Sequence, residues 1–191
     1  MVDAFLFYWK QYTPLDGRHR QWLHQHGVSL SHVPQGWTLH SEGARNHYLF
    51  FVAKGLLAGV SWDADARRRI HMLAPPGHNL MGTRNFYTDK QVPYDIVALR
   101  ASAVLRLPVD ALKSLKEQDT AVAELVAVLR EKQLKQHLLH NAILQIHREG
   151  DRYRTFERYF HEWTGQLTLQ EMAEYLAMSV ASVKRARRGN I

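Results

Sequence analysis

Two hydrophobic rhythms divide the chain. Between Val109 and Glu149 there is neither Gly nor Pro, and apolar residues recur at Ala121, Val122, Leu125, Val126, Val128 and Leu129. They continue at Leu134, Leu138, Leu139, Ala142, Ile143 and Ile146. Steps of three and four predict one amphipathic helix over residues 118–147, about 45 Å long at a rise of 1.5 Å per residue. Its apolar stripe is wider than a single seam requires. That width suits a helix covering a neighbouring domain on one side and meeting a second copy of itself on the other.

Upstream the rhythm is shorter. All six prolines and eight of the eleven glycines lie at or before Pro108. Between them stand short β-branched and aromatic runs, Trp37–His40, Tyr48–Ala53, Leu56–Trp62, Arg69–Leu73, Ile96–Leu99 and Val104–Leu107. Strands at such spacing, punctuated by turn residues, predict a sandwich or barrel. Asp63-Ala64-Asp65 reads as a hairpin loop. Helical segments are predicted at Asp3–Gln11 and Pro14–His26, and Pro108 suits the first turn of another helix. Gly150 is expected to break the long helix, with a further helix at Tyr153–Trp163 ending before Gly165.

The segment Thr168–Arg188 carries the most specific pattern. Thr168 followed by Glu171 is a capping box. Met172, Ala173 and Leu176 then give an apolar helical face. Ser179 is a second N-cap, opening a helix with Val183 and Ala186 on its inner side. Two short helices crossing closely, with the small Ala173 at the crossing, make a helix-turn-helix. The turn position favours Gly because its backbone is left-handed, and Ala177 stands there instead at a cost of about 1 kcal/mol.

Charge then separates this from an ordinary helical hairpin. Lys184, Arg185, Arg187 and Arg188 follow Val180 with no acid among them. A basic second helix is what entry into the DNA major groove requires. Arg185 and Ser182 are the expected base-edge contacts, with Val180 and Ala181 as apolar readers of a thymine methyl. Thr168, Gln170, Lys184 and Arg188 are expected on phosphates, beside Ser179 at the helix start. The net charge of +7 and pI near 9.8 agree with an acidic partner.

Over nearly its whole length the chain resembles the cyclic-AMP receptor protein/fumarate–nitrate regulator (Crp/Fnr) family. Gly36, Glu42-Gly43, Lys54-Gly55, Gly77 and Gly82 stand in the order of that family's β-roll turns. The run Asn46–Leu57 is similar to its strand–Gly–strand core, and Ile96–Pro108 to its closing strands. The resemblance implies an α+β fold: a cyclic-nucleotide-binding-like β-roll (a double-stranded β-helix or jelly roll) over 1–117, a dimerisation helix over 118–147, and a helix-turn-helix domain over 148–191. It implies a bacterial homodimer on double-stranded DNA, with RNA polymerase as a further partner and a small-molecule effector whose identity the residues leave open.

Departures from the family pattern narrow this. Nucleotide-binding members hold the ribose with Gly-Glu, where this chain has Gly82-Thr83, and the cyclic phosphate with Arg-Ser, where it has Pro93-Tyr94. Without that guanidinium a cyclic phosphate loses its charge-assisted contact. Binding of cyclic AMP in the usual mode is therefore not expected. Arg84, beside the same loop, is the remaining candidate for an anion. The recognition helix begins Val180-Ala181 where the best-known readers have Arg-Glu, so a different site sequence is expected. Ending at Ile191, the chain looks like the family's short, wingless branch.

Other chemistries find less support. Cysteine is absent, which removes disulfides, thiolate metal sites and cysteine nucleophiles. No phosphate-cradling loop, nucleophile elbow or kinase motif is present. The N-terminus lacks a secretory pattern and no run suits a membrane span, so a cytoplasmic protein without a membrane partner is expected. Twelve histidines keep a cupin-like metalloenzyme as the rival reading, but that site needs a His-x-His pair on a strand. The strands offer only scattered His40, Tyr48 and His71; His137 and His140 lie three apart on the long helix and are read, like the other histidines, as exposed helical side chains. Haem ligation through His71 or His78 remains open at this level. A protein of the same fold without DNA binding is the other alternative. No metal, catalytic residue or cofactor is assigned.

Overall fold

The computed structural model describes residues 1–45, 47–88 and 90–189. Asn46, the start of the strand–Gly–strand run, and Ile191, at the chain end read as wingless, lie outside the described residues. The fold is α+β. Helices α1 (Val2–Trp9) and α2 (Gly17–His26) precede strands β1 (Val28–Val33), β2 (Thr38–His40), β3 (Tyr48–Lys54), β4 (Leu57–Trp62), β5 (Arg68–Ala74), β6 (Asn79–Met81), β7 (Asp95–Ala98) and β8 (Ser102–Pro108). Helices α3 (Val109–Lys116), α4 (Thr120–Leu144), α5 (Glu149–Tyr159), α6 (His161–Thr164), α7 (Leu169–Leu176) and α8 (Val180–Arg187) follow.

The strands form two sheets of four, in the orders β1-β8-β3-β6 and β2-β7-β4-β5. The chain divides into two compact units: residues 1–60 with 73–133, and residues 61–72 with 134 onward. The first holds most of the β-roll. Its central strand β3 pairs antiparallel with β8 and β6, placing Leu49 opposite Leu107 and Phe51 opposite Leu105. These four share a buried cluster with Phe5 and Trp9 of α1 and Val122, Leu125, Val126 and Leu129 of α4. Because side chains alternate along a strand, Phe50 and Val52 turn to the opposite face, where both are also buried. A strand covered on both sides explains the unbroken apolar run Leu-Phe-Phe-Val.

Specific contacts fix the helices of this unit. The Phe5 ring meets Phe51 edge-on, with centroids 4.8 Å apart. The Trp9 indole donates to the Ala121 carbonyl at 3.1 Å. Asp119 starts α4 by accepting from the backbone amides of Ala121 at 2.9 Å and Val122 at 3.3 Å.

In the second unit, α5–α8 enclose Tyr153, Phe156, Phe160, Trp163, Met172, Tyr175, Leu176 and Val183, all buried. Phe160 stacks on Trp163 with centroids 4.5 Å apart, and Phe156 tilts against Tyr175 at 5.7 Å.

Several local expectations change. β1 and β6 have no counterpart among the predicted strands. β1 pairs with β8 alone and exposes most of its residues, so its Val-Ser-Leu-Ser-His-Val carries little core signal. β6 has only three residues, all buried, too few for alternation to show. The long helix is 25 residues and ends at Leu144, shorter than the predicted 118–147. The break falls at residues 145–148; Gly150, expected to make it, is buried inside α5. The predicted helix at Tyr153–Trp163 is two, α5 and α6, parted at Phe160.

Candidate nucleic-acid interface

Helices α7 and α8 are built by short-range chemistry. The Thr168 hydroxyl accepts from the Glu171 amide at 3.2 Å, while the Glu171 carboxylate accepts from the Thr168 amide at 2.7 Å. Ser179 starts α8 by accepting from the Ser182 amide at 3.0 Å. Between them Ala177 is left-handed, at φ 50° and ψ 49°, so alanine occupies the conformation that a glycine takes at lower steric cost.

Burial sorts the residues of this motif. Val183 and Ala186 pack inward. Ser179, Ala181, Lys184, Arg185, Arg187 and Arg188 are exposed, as are Thr168 and Gln170, and Val180 is half-buried. Ser182 differs from its expected place on a base edge. It is buried, and its hydroxyl meets Ser179 Oγ at 2.8 Å and accepts from Arg185 Nη2 at 3.1 Å. Its position is that of a support for the Arg185 guanidinium, because the third helical residue faces back toward the N-cap.

The acidic residues of α7 are neutralised locally. Glu171 closes the capping box. The nearly buried Glu174 carboxylate receives Arg68, from the β4–β5 hairpin, at 2.8 Å on Oε2 and Gln170 Nε2 at 2.9 Å on Oε1. α8 carries three cations in its last turn, where the helix dipole favours positive charge, with Arg188 as its C-cap and no acid from Val180 through residue 188.

Two residues that sequence reasoning missed hold the turn. Arg152 of α5 donates through Nη1 to Leu176 O at 2.9 Å and Ala177 O at 3.1 Å, and through Nη2 and Nε to Ile146 O at 2.8 and 3.0 Å. His140 is buried, not exposed as its helical position suggested. Its ring stacks on Tyr175 at 3.9 Å, and Nε2 lies 2.7 Å from Tyr175 O. Burial lowers its pKa below the ordinary histidine value, against the Tyr175 and His71 carbonyls, which favour the charged form. Nothing in the motif's spacing marks either residue, since both lie in other helices.

The roll interior is arranged differently. Gly82 and Thr83 are buried, and a Cβ on Gly82 would sit 2.7 Å from the His40 ring. Tyr94 lies against Gly59, where a Cβ would come within 2.6 Å of its ring. Burial pushes the Tyr94 hydroxyl up to about 12. Pro93 and Arg84 are exposed, and the Arg84 guanidinium donates to Gln91 O at 3.3 Å. Among the described residues no three His, Asp or Glu side chains are grouped as a metal site, which is the arrangement the cupin reading needs. No described helix is long and apolar enough to cross a membrane.

Residues 30–119 match the cyclic nucleotide-binding domain family. Compared whole, the chain has the fold of Crp/Fnr transcriptional regulators. FixK2 from Bradyrhizobium japonicum superposes with a TM-score of 0.72 at 16% identity, covering 85% of this chain and 83% of FixK2. The c-di-GMP-responsive global regulator CLP of Xanthomonas campestris gives 0.71 at 14%, covering 91% of each chain. A CRP-family transcriptional regulator from Thermus thermophilus gives 0.67 at 18%, covering 84% and 83%. CLP and the Thermus protein are described as regulators. No curated protein matches the chain in sequence.

Proposed function

We propose that this chain is a DNA-binding transcription regulator that acts as a homodimer. The observation that carries the reading is the α7–α8 pair: a capped, tightly turned helix-turn-helix whose second helix and its C-cap expose Lys184, Arg185, Arg187 and Arg188. Placed in a major groove, Arg185 would address a base edge from its Ser182 support, with Val180 and Ala181 beside it. Thr168, Gln170, Ser179, Lys184 and Arg188 would engage phosphates. Two copies would present their α8 helices about one DNA turn, ~34 Å, apart to a partly palindromic site. The dimer face we assign to α4, where Leu134 and Leu138, four residues apart, are 58% and 60% exposed.

Control by cyclic AMP in the usual mode is not part of this reading. The positions that hold a cyclic phosphate in the family carry exposed Pro93 and a Tyr94 packed on Gly59, and Arg84 is engaged at the surface. Any effector is therefore a different molecule, and RNA polymerase is the expected downstream partner. The test is a mobility-shift assay on DNA upstream of the protein's own gene, with Arg185→Ala as control. Retardation by the native protein with at least about tenfold weakening in the variant supports the reading. Equal retardation by both overturns the assigned surface, and none on any genomic fragment overturns DNA binding.

A further inference from the structure

The C-terminal end of α7 cannot satisfy itself. The last carbonyls of a helix lack intrahelical donors, and the left-handed residue that follows is an alanine, which resists that conformation. Tyr175, Leu176 and Ala177 thus bring three carbonyls to the turn that aims α8. All three are met from outside the motif, Tyr175 O by His140 and the other two by Arg152.

Arg152 does more than cap. The edge of its guanidinium opposite the turn is closed on Ile146 O by two donors, at 2.8 and 3.0 Å. Ile146 lies in the 145–148 link between α4 and α5. One rigid, planar fork therefore joins that link to the turn. Its donors are fixed relative to one another, so the two sets of carbonyls cannot shift apart without breaking a charge-assisted bond.

We propose that Arg152 is a positioning residue for DNA reading. It holds the Ala177 turn left-handed, sets the direction in which α8 leaves it, and passes any displacement of the 145–148 link to the recognition helix. This role rests on the DNA-binding reading above. Arg152 is not assigned as a DNA contact, because four of its five N–H donors are engaged by three backbone carbonyls. Lysine cannot replace it: an ammonium is a point charge without the fork.

The test uses the full chain and four variants: Arg152→Lys, Arg152→Ala, Ala177→Gly, and Arg152→Lys combined with Ala177→Gly. The probes are a genomic duplex selected by the native protein and a scrambled duplex of the same length. Loss of the fork is expected to weaken the selected duplex about tenfold or more. The scrambled duplex should weaken less than about twofold, because the α8 cations that attract phosphate are untouched. Ala177→Gly alone should change either affinity by less than about twofold. Added to Arg152→Lys, it should recover most of the loss, since glycine takes the left-handed turn without the steric cost.

Equal weakening on both duplexes, no weakening, or no recovery by glycine overturns the proposal. Amide hydrogen exchange supplies a readout independent of DNA. Faster exchange confined to residues 176–180 in Arg152→Lys is expected, whereas faster exchange throughout 149–189 makes Arg152 a general folding residue and overturns the positioning role. Should the native protein select no duplex, the DNA-binding reading fails, while exchange at 176–180 still decides whether Arg152 holds the turn.

Discussion

The β-roll interior and the α7–α8 pair differ in opposite ways from the Crp/Fnr pattern that the chain resembles. In the roll, the departures fall on the groups that would touch a ligand. Thr83 stands for a carboxylate and Pro93-Tyr94 for a guanidinium and a hydroxyl. There the Tyr94 ring packs on Gly59 and the His40 ring on Gly82. In the proposed reader, the departure at Ala177 falls on the backbone, and groups from neighbouring helices meet the carbonyls of the turn. Arg152 and His140 cap what a glycine turn would leave simpler, and the four cations of α8 stay outward. Changing a ligand contact alters what is sensed, whereas changing a turn residue is tolerated only when other groups hold the same geometry.

The largest expected effect tests whether the reader works in pairs. Leu134→Glu combined with Leu138→Glu should give monomers by light scattering and weaken the selected DNA about a hundredfold or more, since linked half-sites owe their avidity to the dimer. A variant that stays dimeric places the interface elsewhere. Next is Arg185→Ala, expected to cost roughly ten- to a hundredfold on the selected DNA and to relax preference at one base position. Uniform loss at every position would make Arg185 a phosphate contact.

A third prediction separates the two regions by pH. Burial lowers the pKa of His40 in the roll and of His71 and His140 in the second unit. Each ring is held neutral by the fold, so its contribution to stability is complete above the unfolded value of ~6.5 and is lost as pH falls below it. Thermal melts from about pH 8 to about pH 5 should show a falling midpoint, and His140→Gln should flatten that fall for the C-terminal unit alone. An unchanged profile would show that His140 is not a titrating member of this set.

Smaller still, Lys184→Ala and Arg188→Ala should each reduce the salt dependence of DNA binding by about one ion. An unchanged slope removes that residue from the phosphate contacts. The smallest effect is no effect: cyclic AMP should leave both the melting midpoint and the DNA affinity unmoved. A rise of several degrees would mean that Tyr94 yields to the nucleotide, and the contrast between roll and reader would fail.

Much of this architecture is legible from residues close together in the chain. The capping box at Thr168 and Glu171, the second cap at Ser179 and the left-handed position at Ala177 all rest on spacings of three to five residues, and the structure has each of them. The six predicted strands likewise show because turn residues bracket them. The edge strand β1, the three-residue β6 and the true end of α4 were not legible, because exposure, brevity and a link without Gly or Pro leave no periodic mark.

What the sequence determined by itself was therefore local: the helical and extended rhythms, the caps, the turn and the basic outer face of α8. What only the tertiary structure decided was which side chains those elements bring together. Ser182 looks like a reader by position, yet folding turns its hydroxyl onto Arg185. Arg68 reaches Glu174 across 106 positions of sequence, and Arg152 reaches the turn across 24 and 25. A cap is fixed by bonds within one turn of the chain, so its residues announce it. A guanidinium that serves carbonyls on two distant segments has a partner only once the core has closed.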